Sequence, residues 1–182
     1  MLTIYGVPLS VHTRKTIITA LRKDIEYKFE VVIPVVPGQP PSNWAVLSPT
    51  GLIPVIRDGD YTLADSTAIS LYLEKKRPSP SLLPSDVQQY GRALRFDAYA
   101  GGTLFRHVVH PLFHQSVVAP GINKIPTDKT AVEKVLTEVA PKIFRIFGVA
   151  DRREVPRRRL ADTGRCHNRL ELPRLSILRL HD

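Results

Sequence analysis

The chain is predicted to fold as an α/β domain followed by an all-helical one. Three observations carry that prediction. Over the first eighty residues, strand-type apolar runs alternate with a helical period. A Pro/Ser-rich segment, Arg77-Pro-Ser-Pro-Ser-Leu-Leu-Pro84, then interrupts the pattern. Beyond it the strand signals stop and two long amphipathic helical patterns take over. With 182 residues, 43% of them hydrophobic, the chain has enough apolar surface for a real core.

The elements follow in order. Leu2 to Gly6 is a short apolar run, predicted as a buried strand. From Thr13 to Lys23 the spacing predicts a helix with Ile17, Ile18 and Leu21 on its buried face and basic residues opposite. Tyr27 to Ile33 has the aromatic and β-branched content of a second strand. Pro34 to Ser42 is too rich in proline for helix or central strand. Ile53 to Ile56 is predicted as a strand, Asp58-Gly-Asp60 as a tight hairpin turn, and Tyr61 to Leu63 as the returning partner. Asp65 and Ser66 then cap a helix running from Thr67 to Lys76. The order β-α-β, loop, β-β-α implies one parallel pair and an added antiparallel hairpin. In the second half, Asp86 to about Val118 and Asp128 to Phe147 read as helices. Gly101-Gly102 and Pro111 are expected to bend the first, and Val132, Val135, Leu136, Val139 and Ile143 lie in register on the second. Tyr5, Trp44 and Phe113 read as packing residues.

Charge and cysteine content exclude several classes. The net charge is +9, but residues 1–150 carry 17 Lys/Arg against 12 Asp/Glu, while residues 151–182 carry nine Arg, no Lys and five acids. The excess is therefore concentrated in the tail and is weak evidence for nucleic-acid binding. The lone Cys166 rules out an internal disulfide, a four-thiolate zinc site and a Cys-x-x-Cys redox pair. No run approaches the length of about 18 apolar residues that a membrane helix needs, and no basic-then-apolar leader opens the chain. The expectation is a reduced, cytoplasmic protein without membrane or nucleic-acid partners.

Three motifs carry a resemblance. Gly6-Val-Pro-Leu-Ser10-Val-His-Thr13-Arg14-Lys15 matches G-x-P-x-S-x-x-T-R-[RK]. Ser48-Pro49-Thr-Gly51-Leu-Ile53-Pro54 matches N-P-x-G-x-V-P. Asp65-Ser66-Thr67-Ala68-Ile69 matches E/D-S-x-A-I. Together, in order and on the right elements, they resemble the glutathione transferases, most closely the phi class. The resemblance implies a thioredoxin-like glutathione-binding domain over residues 1–79, a linker at 80–84, an incomplete all-α domain at 85–149 and an Arg-rich tail at 150–182. It implies conjugation of the thiol of reduced glutathione to a small hydrophobic electrophile, with glutathione as co-substrate, no cofactor and no metal, in a two-fold homodimer.

Site roles come from that resemblance, and each has a plainer alternative. Asp65 and Ser66 would hold the γ-glutamyl ammonium and carboxylate at a helix N-terminus, which attracts anions; as local signals they read equally as helix caps. Ile53 and Pro54, joined by a cis bond in the family, would present backbone to the cysteinyl part; by local signal Pro54 reads as an edge-strand proline. Ser10 would donate to the glutathione sulfur and favour its thiolate, although Ser10 or Thr13 also suits an N-cap. The loop departs from the family pattern: the usual His-Lys pair falls near Gln39 and Pro40, so Gln39 keeps a donor for the glycyl carboxylate and the charge is gone. Leu52 stands where a Gln is common. His107, His110 and His114 share a helical face and are expected to be partly solvated or to border the electrophile pocket, not to bind metal.

The tail breaks the pattern. From Glu154, permitted codons chosen with the family motif in mind, read one nucleotide later, spell R-F-L-A-G-D-S-L-T-L-A-D-V-T-I-A-S-N-F, the loop and helix that the family has there. A frameshift near residues 148–153 is the reading preferred over a natural basic tail, and it predicts exposed apolar faces on the remaining helices. Two alternatives to the transferase stand beside it. One is a glutathione-dependent isomerase of the same fold, whose double-Ser or Ser-Cys motif is absent; the other is a non-catalytic interaction module or inactive fragment.

Overall fold

β1 (Leu2–Gly6) runs through the middle of the N-terminal half, buried on both faces. A computed structural model describes residues 1–36 and 38–151 of the chain. The chain continues through α1 (Val11–Arg22), β2 (Tyr27–Val31), the short α2 (Trp44–Leu47), β3 (Val55–Asp58), β4 (Tyr61–Ala64) and α3 (Ser66–Lys76). The sheet order is β2-β1-β3-β4: β1 pairs with β2 in parallel, and the β1–β3 and β3–β4 pairs are antiparallel. This is the predicted thioredoxin-like βαβ-ββα arrangement. The two-residue loop Gly59-Asp60, with Gly59 at φ +63°, closes the hairpin between Asp58 and Tyr61.

Alternation along β1 divides the core. Leu2 and Ile4 pack with Ala20, Ile56, Ile69 and Leu73, the side covered by α1 and α3. Tyr5 packs with Val32, Trp44, Leu47 and Val55, and the Tyr5 and Trp44 rings meet edge to face at 6.4 Å. Tyr5 and Trp44 are thus core residues, as expected.

Several expectations need correction. β2 ends at Val31, and β3 begins at Val55, because Pro54 has no N–H to give a ladder. The buried face of α1 is Thr13, Thr16, Thr19 and Ala20, while Ile18 and Leu21 are exposed. Small side chains let α1 approach α3, where Thr19 Oγ1 lies 3.1 Å from Ser70 Oγ. Lys23, expected on the solvent side, is fully buried: its ammonium pairs with Glu74 at 2.5 Å and donates to the carbonyls of Pro78 and Pro80. Glu74 also accepts from Ser81 Oγ and the Leu82 N–H, so the Pro/Ser segment is fastened to α1 and α3.

Beyond that segment only helices follow in the described residues. α4 (Val87–Tyr99) is capped by Asp86, whose carboxylate accepts from the Gln89 N–H. Its axis continues as a π-helical stretch (Ala100–Val109), α5 (His110–Phe113) and a second π-helical stretch (His114–Ile122). The i→i+4 ladder gives way beside Gly101-Gly102, the position expected to perturb the helix. α6 (Lys129–Lys134) passes through π-helical Val135–Val139 into α7 (Ala140–Asp151). The widened turns shift the phase: Val135, Val139 and Ile143 pack with Val108, but Leu136 is 52% exposed, contrary to the expected register. Phe113, expected in the core, is exposed on α5. Residues 1–145 form one compact unit. The Arg-rich segment and the frameshift reading lie outside the described residues. Within the described residues, no helix is long and apolar enough to cross a membrane.

Candidate functional site

Gly6 and Thr13 explain why the first motif has its residue types. A Cβ on Gly6 would stand 2.4 Å from Thr13 Oγ1, and Thr13 is fully buried, so only glycine lets the end of β1 meet the first turn of α1. Ser10 occupies the N-cap of α1, where its hydroxyl oxygen accepts from the Thr13 N–H at 3.3 Å. Capping uses a lone pair and leaves the hydroxyl proton free for a second partner. The cap and the thiolate-stabilising role are therefore compatible at one atom.

α3 opens in a similar way. Asp65 holds φ +76°, ψ 122°, a conformation an L-residue adopts at a cost of about 1–3 kcal/mol. It does so with Oδ1 accepting from the N–H groups of both Thr67 (2.8 Å) and Ala68 (3.0 Å). Both caps fall on one oxygen, so Oδ2 keeps its acceptor capacity. Ser66, expected as a second cap, is instead the first helical residue; its buried hydroxyl lies 3.1 Å from His12 Nδ1. That contact ties the starts of α1 and α3 together.

The second motif forms the adjoining loop. Ser48 is buried and its hydroxyl donates to the Leu52 carbonyl at 2.7 Å, while Gly51, at φ +71°, donates its N–H to the Ser48 carbonyl. Trp44 Nε1 reaches the Gly51 carbonyl at 3.5 Å. The Ile53–Pro54 peptide is cis, as the resemblance implied. Pro54 is fully buried, Ile53 packs against Tyr5 and its neighbours, and both precede the last β1–β3 pair, Tyr5–Val55. Gln39 is exposed in the preceding loop, where its N–H donates to the Val36 carbonyl.

Three elements meet in a polar group that the motifs did not single out. The Lys15 ammonium donates to Thr67 Oγ1 at 2.8 Å and pairs with the Asp97 carboxylate, and Thr67 Oγ1 donates to Asp97 Oδ2 at 2.6 Å. α1, α3 and α4 are thereby joined beside the α3 N-terminus. Burial would raise the Asp97 pKa, but the hydrogen bonds from Lys15 and Thr67 outweigh it and hold the carboxyl below its ordinary value. Burial, then the Lys15 charge, lowers the His12 pKa. The only sequence signal was the i, i+3 spacing of His12 and Lys15 on one face of α1; nothing local marks Asp97.

From His12 a file of rings leads into the helical region. His12 meets Phe105 edge to face at 4.4 Å, Phe105 meets His110 at 5.9 Å, and His110 stacks on His114 at 6.4 Å. His110 and His114 border a shallow cavity of about 340 Å³ whose other walls include Pro111, Leu112, Val132 and Val135. His107 is exposed and is not part of its lining. Among the described residues, no three His, Cys, Asp or Glu side chains are grouped to hold a metal ion.

Comparison with known proteins agrees with this fold. Residues 4–81 match the model of the glutathione S-transferase N-terminal domain. The chain is 30% identical to glutathione S-transferase Z2 of Arabidopsis thaliana, over 78% of its own length and 67% of the relative's. It is 31% identical to human glutathione S-transferase theta-1, covering 76% of this chain and 58% of that one. A glutathione S-transferase from Rhodospirillum rubrum F11 superimposes with a TM-score of 0.73 at 25% identity, over 84% of this chain and 68% of that structure. The fold, the cap at α3 and the matches at both levels converge: the chain belongs to the glutathione S-transferase family.

Proposed function

We propose that the protein binds reduced glutathione across the N-termini of α1 and α3 and conjugates it, through its sulfur, to a small hydrophobic electrophile. The observation that carries this reading is the His12–Ser66 contact, which sets two helix starts side by side. The macrodipoles of two helices of 12 and 11 residues then favour an anion at one place. Ser66 offers a hydroxyl and a backbone N–H to the γ-glutamyl carboxylate, and Asp65 Oδ2 offers an acceptor to the ammonium. The backbone of Ile53, ahead of Pro54, faces the cysteinyl part, and Gln39 is the donor for the glycyl carboxylate.

Ser10 then lies where a thiol would be presented to the α1 start. Its hydroxyl proton, not consumed by capping, donates to sulfur and favours the thiolate as the thiol proton leaves to water. The thiolate forms a carbon–sulfur bond at the electrophile, and the displaced electron pair leaves with the leaving group or moves into a conjugated acceptor. The ring file and the apolar cavity beside His110 supply surface for such an electrophile. Activity is assigned to a homodimer, the usual assembly of the family. A double-Ser or Ser-Cys start, the mark of the isomerase alternative, has no counterpart here because Val11 follows Ser10.

Retention on immobilised glutathione tests the reading. The full chain is expected to be retained and to elute with free glutathione, and Asp65→Ala to pass through although circular dichroism shows it folded. A folded wild-type protein that fails to bind would overturn the reading and leave an inactive scaffold of the same fold.

A further inference from the structure

We propose that His12 is a positioning residue that sets the hydrogen-bonding polarity of Ser66, donating its Nδ1–H to Ser66 Oγ so that the Ser66 hydroxyl proton is turned outward to an anionic ligand. The proposal rests on the reading of the α3 N-terminus as the site of the γ-glutamyl carboxylate.

The argument starts from the hydroxyl. Ser66 has one proton to give, and it is 4% exposed, so water competes little for it. Among the described residues, the one side-chain partner of that oxygen is His12 Nδ1 at 3.1 Å. Two arrangements satisfy this contact. If Nδ1 is bare, it accepts the Ser66 proton, and the hydroxyl shows only lone pairs to an arriving carboxylate. If Nδ1 carries the proton, the Ser66 oxygen accepts, and its own proton is free to be donated. Only the second arrangement suits an anion, and the anion in turn selects that tautomer.

The surroundings hold the ring where this choice is made. Phe105 packs edge-on at 4.4 Å, and a Cβ on Gly101 would stand 3.9 Å from His12 Cε1. Burial disfavours a second proton on the ring, and the Lys15 charge on the same helix acts in the same direction; Asp65 and Asp97 pull the other way but do not prevail. The imidazole is therefore mainly neutral at neutral pH and chooses between tautomers. Lys15 itself is engaged with Thr67 and Asp97 and is not the partner of Ser66.

The test is a double-mutant cycle on the full chain, read as the KM for glutathione and as kcat separately. His12→Phe keeps a flat ring against Phe105 and removes the donor. It is expected to raise the KM for glutathione about tenfold with kcat changed by less than about twofold, and His12→Asn, whose amide can donate, to recover part of the loss. In a Ser66→Ala background, His12→Phe is expected to add nothing, because the hydroxyl it orients is gone. A KM unchanged in His12→Phe, or raised equally with and without Ser66, overturns the role of His12. Should Ser66→Ala and Asp65→Ala both leave the KM unchanged, the site reading itself has failed and this inference fails with it; thermal unfolding of each variant separates both outcomes from misfolding.

Discussion

The two halves of the molecule are held together differently. In the α/β half, Ile4, Ile56, Ile69 and Leu73 have no exposed surface, and every turn that frames the site is fixed by a named hydrogen bond. The helical half is looser: α4 has no fully buried residue, its core cluster rests on Val108, Ala140 and Ile143, and three π-helical stretches interrupt the α ladder. Binding a defined peptide demands donors held in place, whereas accepting varied apolar partners demands only a yielding surface. On the proposed function, the difference teaches that specificity and tolerance are separated along the chain.

The contrast breaks if truncation costs the same on both sides. Leu73→Ala, in a site with no exposure, is expected to lower unfolding free energy by about 3–4 kcal/mol, whereas Leu136→Ala, half exposed on the second helix, costs less than about 0.5 kcal/mol. Urea titration of both variants measures the gap; equal losses would mean that the helical half is as tightly packed as the sheet.

Within the α/β half, scaffold and chemistry are separable. On the proposed reading, Ser10→Ala removes one donor to sulfur and is expected to lower kcat about 100-fold, close to 2.7 kcal/mol, while loss of the cap lowers stability by about 1 kcal/mol. Steady-state turnover beside thermal unfolding distinguishes the two. Turnover within threefold of the wild type would assign Ser10 to capping alone.

The smallest expected effect is electrostatic. Asp58 accepts from the Lys76 ammonium and from the Tyr72 hydroxyl, and these bonds hold its pKa below the ordinary 3.8. A carboxyl depressed in the folded state stabilises above its unfolded pKa and loses that contribution as pH falls through the folded value. Stability is thus expected to drop below about pH 4 by up to about 1 kcal/mol from this group, and Asp58→Asn to flatten that part of the profile. An unchanged slope in the variant would show that the pair contributes nothing to holding β3 against α3.

Much of the fold was legible because local and tertiary signals agree. The βαβ-ββα order, the Gly59 turn and the caps at Ser10 and Asp65 each follow from residues within a few positions of one another. What was hidden depends on partners far along the chain. Lys23 reads as a surface cation until Glu74 and the Pro78 and Pro80 carbonyls surround it. The threonine face of α1 reads as polar, yet it is what lets α3 come close. In the same way Asp97 carries no local signature and His12 only its spacing from Lys15; their contacts exist only once α1, α3 and α4 meet. The helical register departs from expectation at Leu136 because α-type spacing does not hold through a π-helical stretch.

Trp44 is the chain's single tryptophan. It is buried against Tyr5, with its indole N–H directed at the Gly51 carbonyl of the loop leading to Pro54. All indole emission from this protein therefore originates beside that loop, so its wavelength and yield report the polarity and order of one wall of the candidate peptide site. The molecule carries its own optical probe, with no label to attach and no second tryptophan to subtract.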